Sequence, residues 1–467
     1  MKPRTLTWIE SSLDQAGQLR RGHLFGRGDD SWLGATIDSR GDCAGRIFFA
    51  LPGETTDGHN YIADARSNGS CAAVVEREDT VEALSKAEAP FFLVKDVLVS
   101  LQELSRLFRG TLDLRVIAIT GSTGKTTTKE YIRLVLRKKY KVHSNLGNLN
   151  NHIGVPLTIL ETDHDSEYLV SEIGANHVGE VEFLAGILQP DVGVITNIGD
   201  AHIGLFGSRE HIAQAKAELL SAIEKEGCAV LPQDDDYVEM LRGAASCRVV
   251  TFGYGDTSDF RVSAVEDEGD RMDFRINDQM LAIQSVGRYN VLNAAAAFAV
   301  GDVCGVETVR SREALAEAEA LGGRARLYRV GGITLIDDSY NANPTSMRAS
   351  IESLTRIGAK RYVAIFGDMA ELGSYSDGEH EKLGRFVSAS PIDVLYYVGD
   401  GGPHVAAGVG RRSSLELLLF ESIDELCDAV EQRLETGDAV LVKASRSMSL
   451  DKVVARLRRT LPKEGTN

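Results

Sequence analysis

Between Ile119 and Thr128 the chain reads ITGSTGKTTT, a glycine turn followed by a lysine and a run of hydroxyls. Such a stretch can cradle phosphate. Backbone N–H groups of Gly121, Ser122, Thr123, Gly124 and Thr127 can hold phosphate oxygens at a helix N-terminus, Lys125 can neutralise their charge, and the Thr126 hydroxyl can reach Mg²⁺. The spacing is shorter than the common GxxxxGK[ST] form: Gly124, Lys125 and Thr126 fit its end, but the position five before Gly124 is Ile119. The competing reading is a glycine turn that merely opens a surface helix. A Mg²⁺–triphosphate site also needs hard oxygen ligands. Glu172 closes the apolar run EYLVSEI, where packing gives little reason for a carboxylate, so it reads equally as a strand-end charge or a metal ligand. His202, in TNIGDAHIG, follows another apolar run and could be a satisfied polar residue or a ligand. Lys216, in HIAQAKAELL, reads on its own as a solvated helix lysine.

These residues need elements to position them. LRVIAIT has the length and β-branched content of a buried parallel strand, and Tyr131, Ile132, Val135 and Leu136 recur at helical spacing after the turn, so the loop joins a strand to a helix. EYLVSEIG and DVGVITNIG predict further strands of the same sheet, which puts Glu172 and His202 at C-terminal strand ends, where open α/β sheets place ligands. Before residue 113, RIFFAL and CAAVVE predict short strands between Gly, Asp and Pro turns. After Gly322, GITLID, RYVAIFG, DVLYYVG and DAVLVKA alternate with helical stretches, one of them opening at Ser422 with Glu425 three residues on, a capping-box spacing. The expected class is α/β in three domains. These are a small α/β N-terminal domain (1–112), a central P-loop ATPase-like domain on a parallel sheet (113–321) and a C-terminal Rossmann-like α/β domain (322–467).

Length agrees, since 467 residues suit two to four domains of about 100–200 residues. The net charge of −17 disfavours nucleic acid or anionic membrane as partner, so an anionic ligand would need a locally basic site. Six scattered cysteines without a CxxC pair suggest reduced thiols rather than zinc or disulfides, and the N-terminus lacks the apolar stretch of a signal peptide. With no apolar window of about 18 residues to span a bilayer, a soluble cytoplasmic protein is expected.

Taken together, TGSTGKTTTKE, SEIGANH, ITNIGDAHI, GRYNVLNAAAA, GGRARL and IDDSYNANPTSM resemble the Mur ligases, the ATP-dependent amide-bond formers of peptidoglycan precursor synthesis. Several of these motifs also occur in the wider family that includes the folylpolyglutamate synthetases. GNLNNHIGVPLT, DDSYNANP, FGDMAELG and VKASRSM look like the branch that joins D-alanyl-D-alanine to a UDP-N-acetylmuramoyl tripeptide; the DNPR stretch of the branch that adds the third residue is absent. The resemblance covers nearly the whole chain and matches the three-domain layout.

It also implies roles. Lys216, 14 positions after His202, matches the family lysine that becomes carbamylated and coordinates Mg²⁺. Lys125, Glu172, His202 and Lys216 would be the catalytic set. Thr126 and Glu172 would hold one Mg²⁺, with His202 and carbamylated Lys216 supporting a second. Asn293 falls at the adenine-contacting position, Arg324 and Asp338 where the C-terminal domain reaches ATP, with Arg326 the neighbouring candidate. Ser39 and Arg40, in TIDSR, match the stretch holding the uridine diphosphate end, as does LPGETTDGH; Asn151, Lys443 and Ser445 are further substrate candidates. His380 is a candidate general base only by motif position, a helix-surface histidine being the plainer reading. Two positions depart from the family: Ala444 replaces a glycine, and His152 stands where an acid is common. The implied reaction activates the tripeptide carboxylate as an acyl phosphate, the dipeptide amine then attacking it, in an enzyme that the resemblance implies is monomeric, with hinges near residues 112 and 321. Rivals are a sister ligase adding a single amino acid, a non-catalytic binding subunit, and a generic kinase or GTPase, the last lacking an NKxD element.

Overall fold

Apolar runs of strand length alternate with amphipathic helical stretches along most of this chain, and they fold into a mixed α/β architecture with sheets of five, nine and six strands. The structure is a computed structural model that describes residues 4–53, 55–145, 147–411 and 414–461; Glu54 of LPGETTDGH lies outside them. Two compact units emerge. The first comprises Met1–Ala118, Tyr140–Ala175 and Glu180–Asp191, the second Ile119–Lys139, Asn176–Gly179 and Val192–Asn467.

In the first unit the strands order as Leu19–His23, Phe91–Val94, Ala72–Val75, Arg46–Phe49 and Gly34–Thr36, the first pair antiparallel and the rest parallel. RIFFAL and CAAVVE thus form strands as expected. The helix Val97–Arg109 buries Val97, Leu101, Leu104 and Phe108, and Asp96 caps it by accepting from the Val99 N–H at 2.8 Å. The Arg4 guanidinium lies over the rings of Trp32 and Phe108, 4.5 and 4.8 Å from their centroids, and donates to the carbonyls of Leu160 and Thr162. Those contacts fasten the helix Gly154–Glu161, which lies between the parallel strands Val142–Ser144 and Tyr168–Glu172 in the chain.

In the second unit the helix Lys125–Arg137 buries Tyr131, Ile132, Val135 and Leu136, the four residues whose spacing predicts it. It packs against the alanine-rich helix Tyr289–Val303; a Cβ on Gly301 would come 2.7 Å from Val135 Cγ1, so glycine permits the approach. Strands Val192–Ile195, Cys228–Pro232, Arg248–Gly253 and Phe260–Asp267 run parallel, and Met272–Ile276 and Gln279–Ile283 extend the last as an antiparallel meander. The sequence reading did not foresee this meander, whose first strand is interrupted by Ala264 at φ 50° and a register shift.

The six-stranded sheet orders Arg326–Val330, Ile333–Asp337, Asp438–Lys443, Arg361–Gly367, Val394–Val398 and Glu416–Phe420. All pairs are parallel except the first. Alternate residues of single strands enter two different cores: Ala364, Phe366, Leu395 and Tyr397 one, Val363, Ile365, Tyr396 and Val398 the other. Both faces are therefore covered, as a parallel sheet requires. The sheet is parallel, as its alternation of strands and helices implies, with one antiparallel edge strand, Arg326–Val330, which a tight turn at Gly331 and Gly332 folds back. Ser422 caps the helix Ile423–Arg433, accepting from the Glu425 N–H at 3.3 Å.

Candidate active site

The phosphate loop is shaped by close approach. Gly121 has φ 148° and a Cβ there would lie 1.8 Å from Thr196 Oγ1; Gly124 has φ 78° and a Cβ would lie 2.4 Å from Asn293 Oδ1. Each glycine lets the backbone pass a side chain that then holds the loop. The Ser122 N–H donates to the Asn197 carbonyl (3.0 Å), the Thr123 N–H to Asn197 Oδ1 (3.1 Å), and Thr196 Oγ1 to the Thr123 carbonyl (2.6 Å). Ser122 Oγ accepts from the Gly199 N–H at 2.8 Å. The loop is thus preorganised by the TNIG segment. Lys125 Nζ donates to the Gly121 carbonyl at 2.9 Å, arching over the turn, while Thr126 is buried and Thr127 half-buried at the helix start.

Asn293 sits beneath this loop. Its Oδ1 accepts from Thr128 Oγ1 (3.2 Å) and its Nδ2 donates to Asn290 Oδ1 (2.9 Å). Lys216 contradicts its reading as a solvated helix lysine: it is 3% exposed. Burial first, then the Lys125 ammonium, push its amine down to about 7, with Glu218 acting the other way. Removing water and facing a like charge both disfavour the cation.

His202 has φ 60°, a left-handed conformation uncommon for a side-chain-bearing residue. Its Nδ1 lies 2.6 Å from Glu371 Oε2, in contact but without good hydrogen-bond alignment. This contact holds the Glu371 carboxyl below its ordinary value, with burial opposing. Glu371, from the FGDMAELG motif, was missed as a site residue by sequence reasoning; it is 169 positions from His202 (371 − 202), and no local pattern links them.

Farther along the second unit, Lys443 Nζ lies 2.7 Å from Asp338 Oδ2 and donates to the Asn341 carbonyl at 2.8 Å, and both Lys443 and Asp338 are buried. Asp338 also accepts from Ser350 Oγ (2.6 Å) and the Ala325 N–H (3.2 Å). Arg324 stacks on Tyr340, 4.1 Å from the ring centroid, with Arg446 at 5.7 Å from the same ring, whereas Arg326 sits 5.5 Å from Tyr328. Ser445 Oγ accepts from the Ala370 N–H at 2.6 Å. Ala444, which stands where the family has glycine, is buried without a positive φ, so alanine there carries no left-handed strain. His380 is neither a surface histidine nor an available base. It is buried, its Nδ1 pairs with the Ser376 carbonyl (2.8 Å), and its Nε2 accepts from the Met369 N–H (3.0 Å), so both ring nitrogens are committed.

In the first unit Glu172 ends its strand buried, its Oε1 accepting from Asn150 Nδ2 at 2.7 Å and its backbone N–H donating to Asn145 Oδ1 at 3.2 Å. Asn150 is not among the residues the motifs single out; its neighbour Asn151 is exposed and accepts from the Ile153 and Gly154 N–H groups just before the following helix. Ser39 is buried, its carbonyl accepting from Asn68 Nδ2 at 2.7 Å. Arg40 is exposed and hydrogen-bonded to Asp38, whose carboxyl this pairing lowers to about 2. His152 is exposed, its carbonyl accepting from Gln102.

Among the described residues no three His, Cys, Asp or Glu side chains are placed to hold a metal ion. No helix of the described residues is long and apolar enough to cross a membrane.

Three family models tile the chain: the Mur ligase family catalytic domain matches residues 34–109, the Mur ligase middle domain 119–301, and the Mur ligase glutamate ligase domain 323–446. The chain is 35% identical to the UDP-N-acetylmuramoyl-tripeptide–D-alanyl-D-alanine ligase of Bacillus subtilis, over 91% of this chain and 93% of that protein. It matches crystal structure I of MurF from Acinetobacter baumannii with a TM-score of 0.84 and 31% identity, covering 98% of this chain and 99% of that one. MurF ligase from Thermotoga maritima in complex with ADP matches with a TM-score of 0.78 and 29% identity, over 91% and 97% of the two chains. This chain belongs to the Mur ligase family.

Proposed function

We propose that this protein is an ATP-dependent ligase that joins D-alanyl-D-alanine to UDP-N-acetylmuramoyl tripeptide, producing the UDP-N-acetylmuramoyl pentapeptide, ADP and phosphate. The observation that carries the reading is a phosphate loop whose Lys125, together with burial, lowers the amine of Lys216 to about 7, within a chain matched almost end to end by ligases of that name. A carboxylate is a poor acyl donor because oxide would have to leave. Its oxygen therefore attacks the γ-phosphorus of ATP, ADP departs, and the acyl phosphate receives the dipeptide amine. The amine loses a proton, the tetrahedral adduct expels phosphate, and an amide remains.

The protein's part is positioning and charge neutralisation. The amides from Gly121 to Thr127 and Lys125 receive the β- and γ-phosphates, and Asn293 supports the loop from below. Mg²⁺ would supply charge neutralisation at the phosphates. Its donors would be Thr126, Glu172, His202 and Lys216 as a carbamate, and two ions are proposed. Arg324 and Asp338 are assigned to ATP, and Ser39, Arg40, Asn151, Lys443 and Ser445 to the UDP-linked substrate and dipeptide. No general base is assigned.

The divisions at 112/113 and 321/322 belong to this proposal, supported by family-model edges at 109, 119, 301 and 323. A cytoplasmic monomer is also part of it; the six cysteines, all free thiols, suit a reducing compartment. Phosphate release should require ATP, Mg²⁺, the tripeptide substrate and D-alanyl-D-alanine together, with a pentapeptide product by mass. Release with a single amino acid in place of the dipeptide would move the chain to a sister ligase, and no release in any combination would sink the ligase reading.

A further inference from the structure

The FGDMAELG motif is not used by any step above, yet the structure holds it with unusual completeness. The Asp368 carbonyl accepts from the Ser445 N–H at 3.0 Å, and its carboxylate accepts from Tyr397 Oη, the Asp400 N–H and the Gly401 N–H at 2.8, 2.9 and 2.9 Å. The Met369 N–H donates to His380 Nε2 and the Ala370 N–H to Ser445 Oγ. Three consecutive residues are therefore fixed, and the next, Glu371, turns outward at φ 62°. Its carbonyl accepts from the Gly204 N–H at 3.0 Å, and Tyr375 Oη donates to the Gly207 carbonyl at 2.8 Å. A Cβ on Gly204 would stand 2.4 Å from the Gly373 nitrogen, so the two segments meet backbone to backbone. Between these anchors the Glu371 carboxylate reaches His202 Nδ1 at 2.6 Å, and each residue of the pair is held in a left-handed conformation. Such conformations persist where the surroundings over-determine them.

We propose that Glu371 is a positioning residue: docking of the 368–375 loop sets its carboxylate against His202 Nδ1 and leaves the Nε2 lone pair as the ligating face. A histidine whose Nδ1–H faces a carboxylate has its tautomer and ring direction chosen by that partner. His202 is then competent as a ligand only while the loop from the C-terminal part of the chain is seated on Gly204 and Gly207. His380, Ser445 and Asp368 act one step further back, as the frame that presents Glu371. The metal half of this inference rests on the reading of His202 as a Mg²⁺ ligand; the tautomer half does not.

The test uses the full chain with a non-hydrolysable ATP analogue, Mn²⁺ as the probe metal, and ¹⁵N-histidine labelling. Wild type, Glu371→Ala, Glu371→Gln and His202→Asn are compared by Mn²⁺ titration in electron paramagnetic resonance and by the ring nitrogen signals of His202. The expected result is Mn²⁺ affinity weakened about 10–100-fold in Glu371→Ala, the usual range for losing an outer partner of a metal ligand, with partial recovery in Glu371→Gln, whose amide oxygen can still accept. The His202 signals should report a single Nδ1–H tautomer in wild type and a mixture in Glu371→Ala. Wild-type Mn²⁺ affinity in Glu371→Ala, alongside weakened binding in His202→Asn, would overturn the positioning role and leave the metal reading standing. Unchanged affinity in His202→Asn would instead overturn the metal reading, and an unchanged tautomer in the isosteric Glu371→Gln and in Glu371→Ala would overturn the contact itself.

Discussion

Lys216 gives the sharpest quantitative expectation. An ordinary lysine with a value of 10.5 is neutral at pH 7 in only about one molecule in 3,000, whereas one pushed down to about 7 is half neutral. Only the neutral amine adds to CO₂, forming a carbamate and releasing one proton. The structure thus raises the reactive fraction at neutral pH about 1,500-fold over a surface lysine. It also supplies a reason for the product to persist, because the carbamate anion replaces like-charge repulsion from Lys125 by attraction. The assay is ¹³C NMR of the protein under a fixed pressure of ¹³CO₂, titrated with pH, with Lys216→Met as the control. A carbamate signal absent from the control should already be present at pH 7 and should grow as pH rises, each carbamate releasing a proton. No signal at pH 7, or a signal that survives in Lys216→Met, would refute the reasoning.

The same shift has a stability consequence with a definite sign. The folded amine, at about 7, binds fewer protons than the unfolded one, at 10.5, between those two values, so stability rises with pH across that window and the deficit is full below pH 7. At about 1.4 kcal/mol per unit, the deficit is bounded by about 5 kcal/mol at low pH, before relaxation of the site.

In CO₂-free buffer, Lys216→Met should therefore melt higher than wild type at pH 6 and by a smaller margin at pH 9, which differential scanning calorimetry would read. Gly121→Ala puts a Cβ 1.8 Å from Thr196 Oγ1 at φ 148°, so the loop must move; phosphate release should fall by about 100-fold with far-UV circular dichroism unchanged, and near-normal turnover would show the loop to be more yielding than its contacts suggest. Lys443→Met leaves the Asp338 carboxylate buried without its cation and should cost about 3–5 kcal/mol, seen as a lower melting temperature; an unchanged one would mean that Asp338 takes up a proton cheaply. Asn150→Ala removes the amide at 2.7 Å from Glu172 and should raise the Mg²⁺ requirement for phosphate release by about 10-fold, with no effect expected if Asn150 only packs.

What could be read from the sequence followed the range of the interaction involved. The strand–loop–helix at Arg115–Arg137 is written in adjacent residues: an apolar run, two glycines that permit close approach, and apolar positions at helical spacing. The edge strand Arg326–Val330 and the meander from Phe260 to Ile283 are not marked by continuous apolar runs: in Met272–Ile276, Asp273 and Arg275 alternate with buried Met272, Phe274 and Ile276, and Arg326–Val330 is only partly buried. At the site, the resemblance to a family pointed to Lys216 where its helix suggested only a solvated lysine, since the burial that alters its chemistry comes from the fold around it rather than from AQAKAEL itself.

His380 shows the opposite error. A motif position suggested chemistry, while the structure spends both ring nitrogens on holding the segment that ends at Glu371. A polar residue buried and fully partnered is worth more as a frame than as a reagent, because moving its proton would break the bonds that place it. The active partner is then the residue the frame presents. Glu371 carries none of the sequence signs of a site residue: it lies in a loop, follows no apolar strand, and meets His202 only through tertiary contact. Reactive groups here are found by asking which side chains are held still by others, and Glu371 is the one held by three consecutive anchored residues.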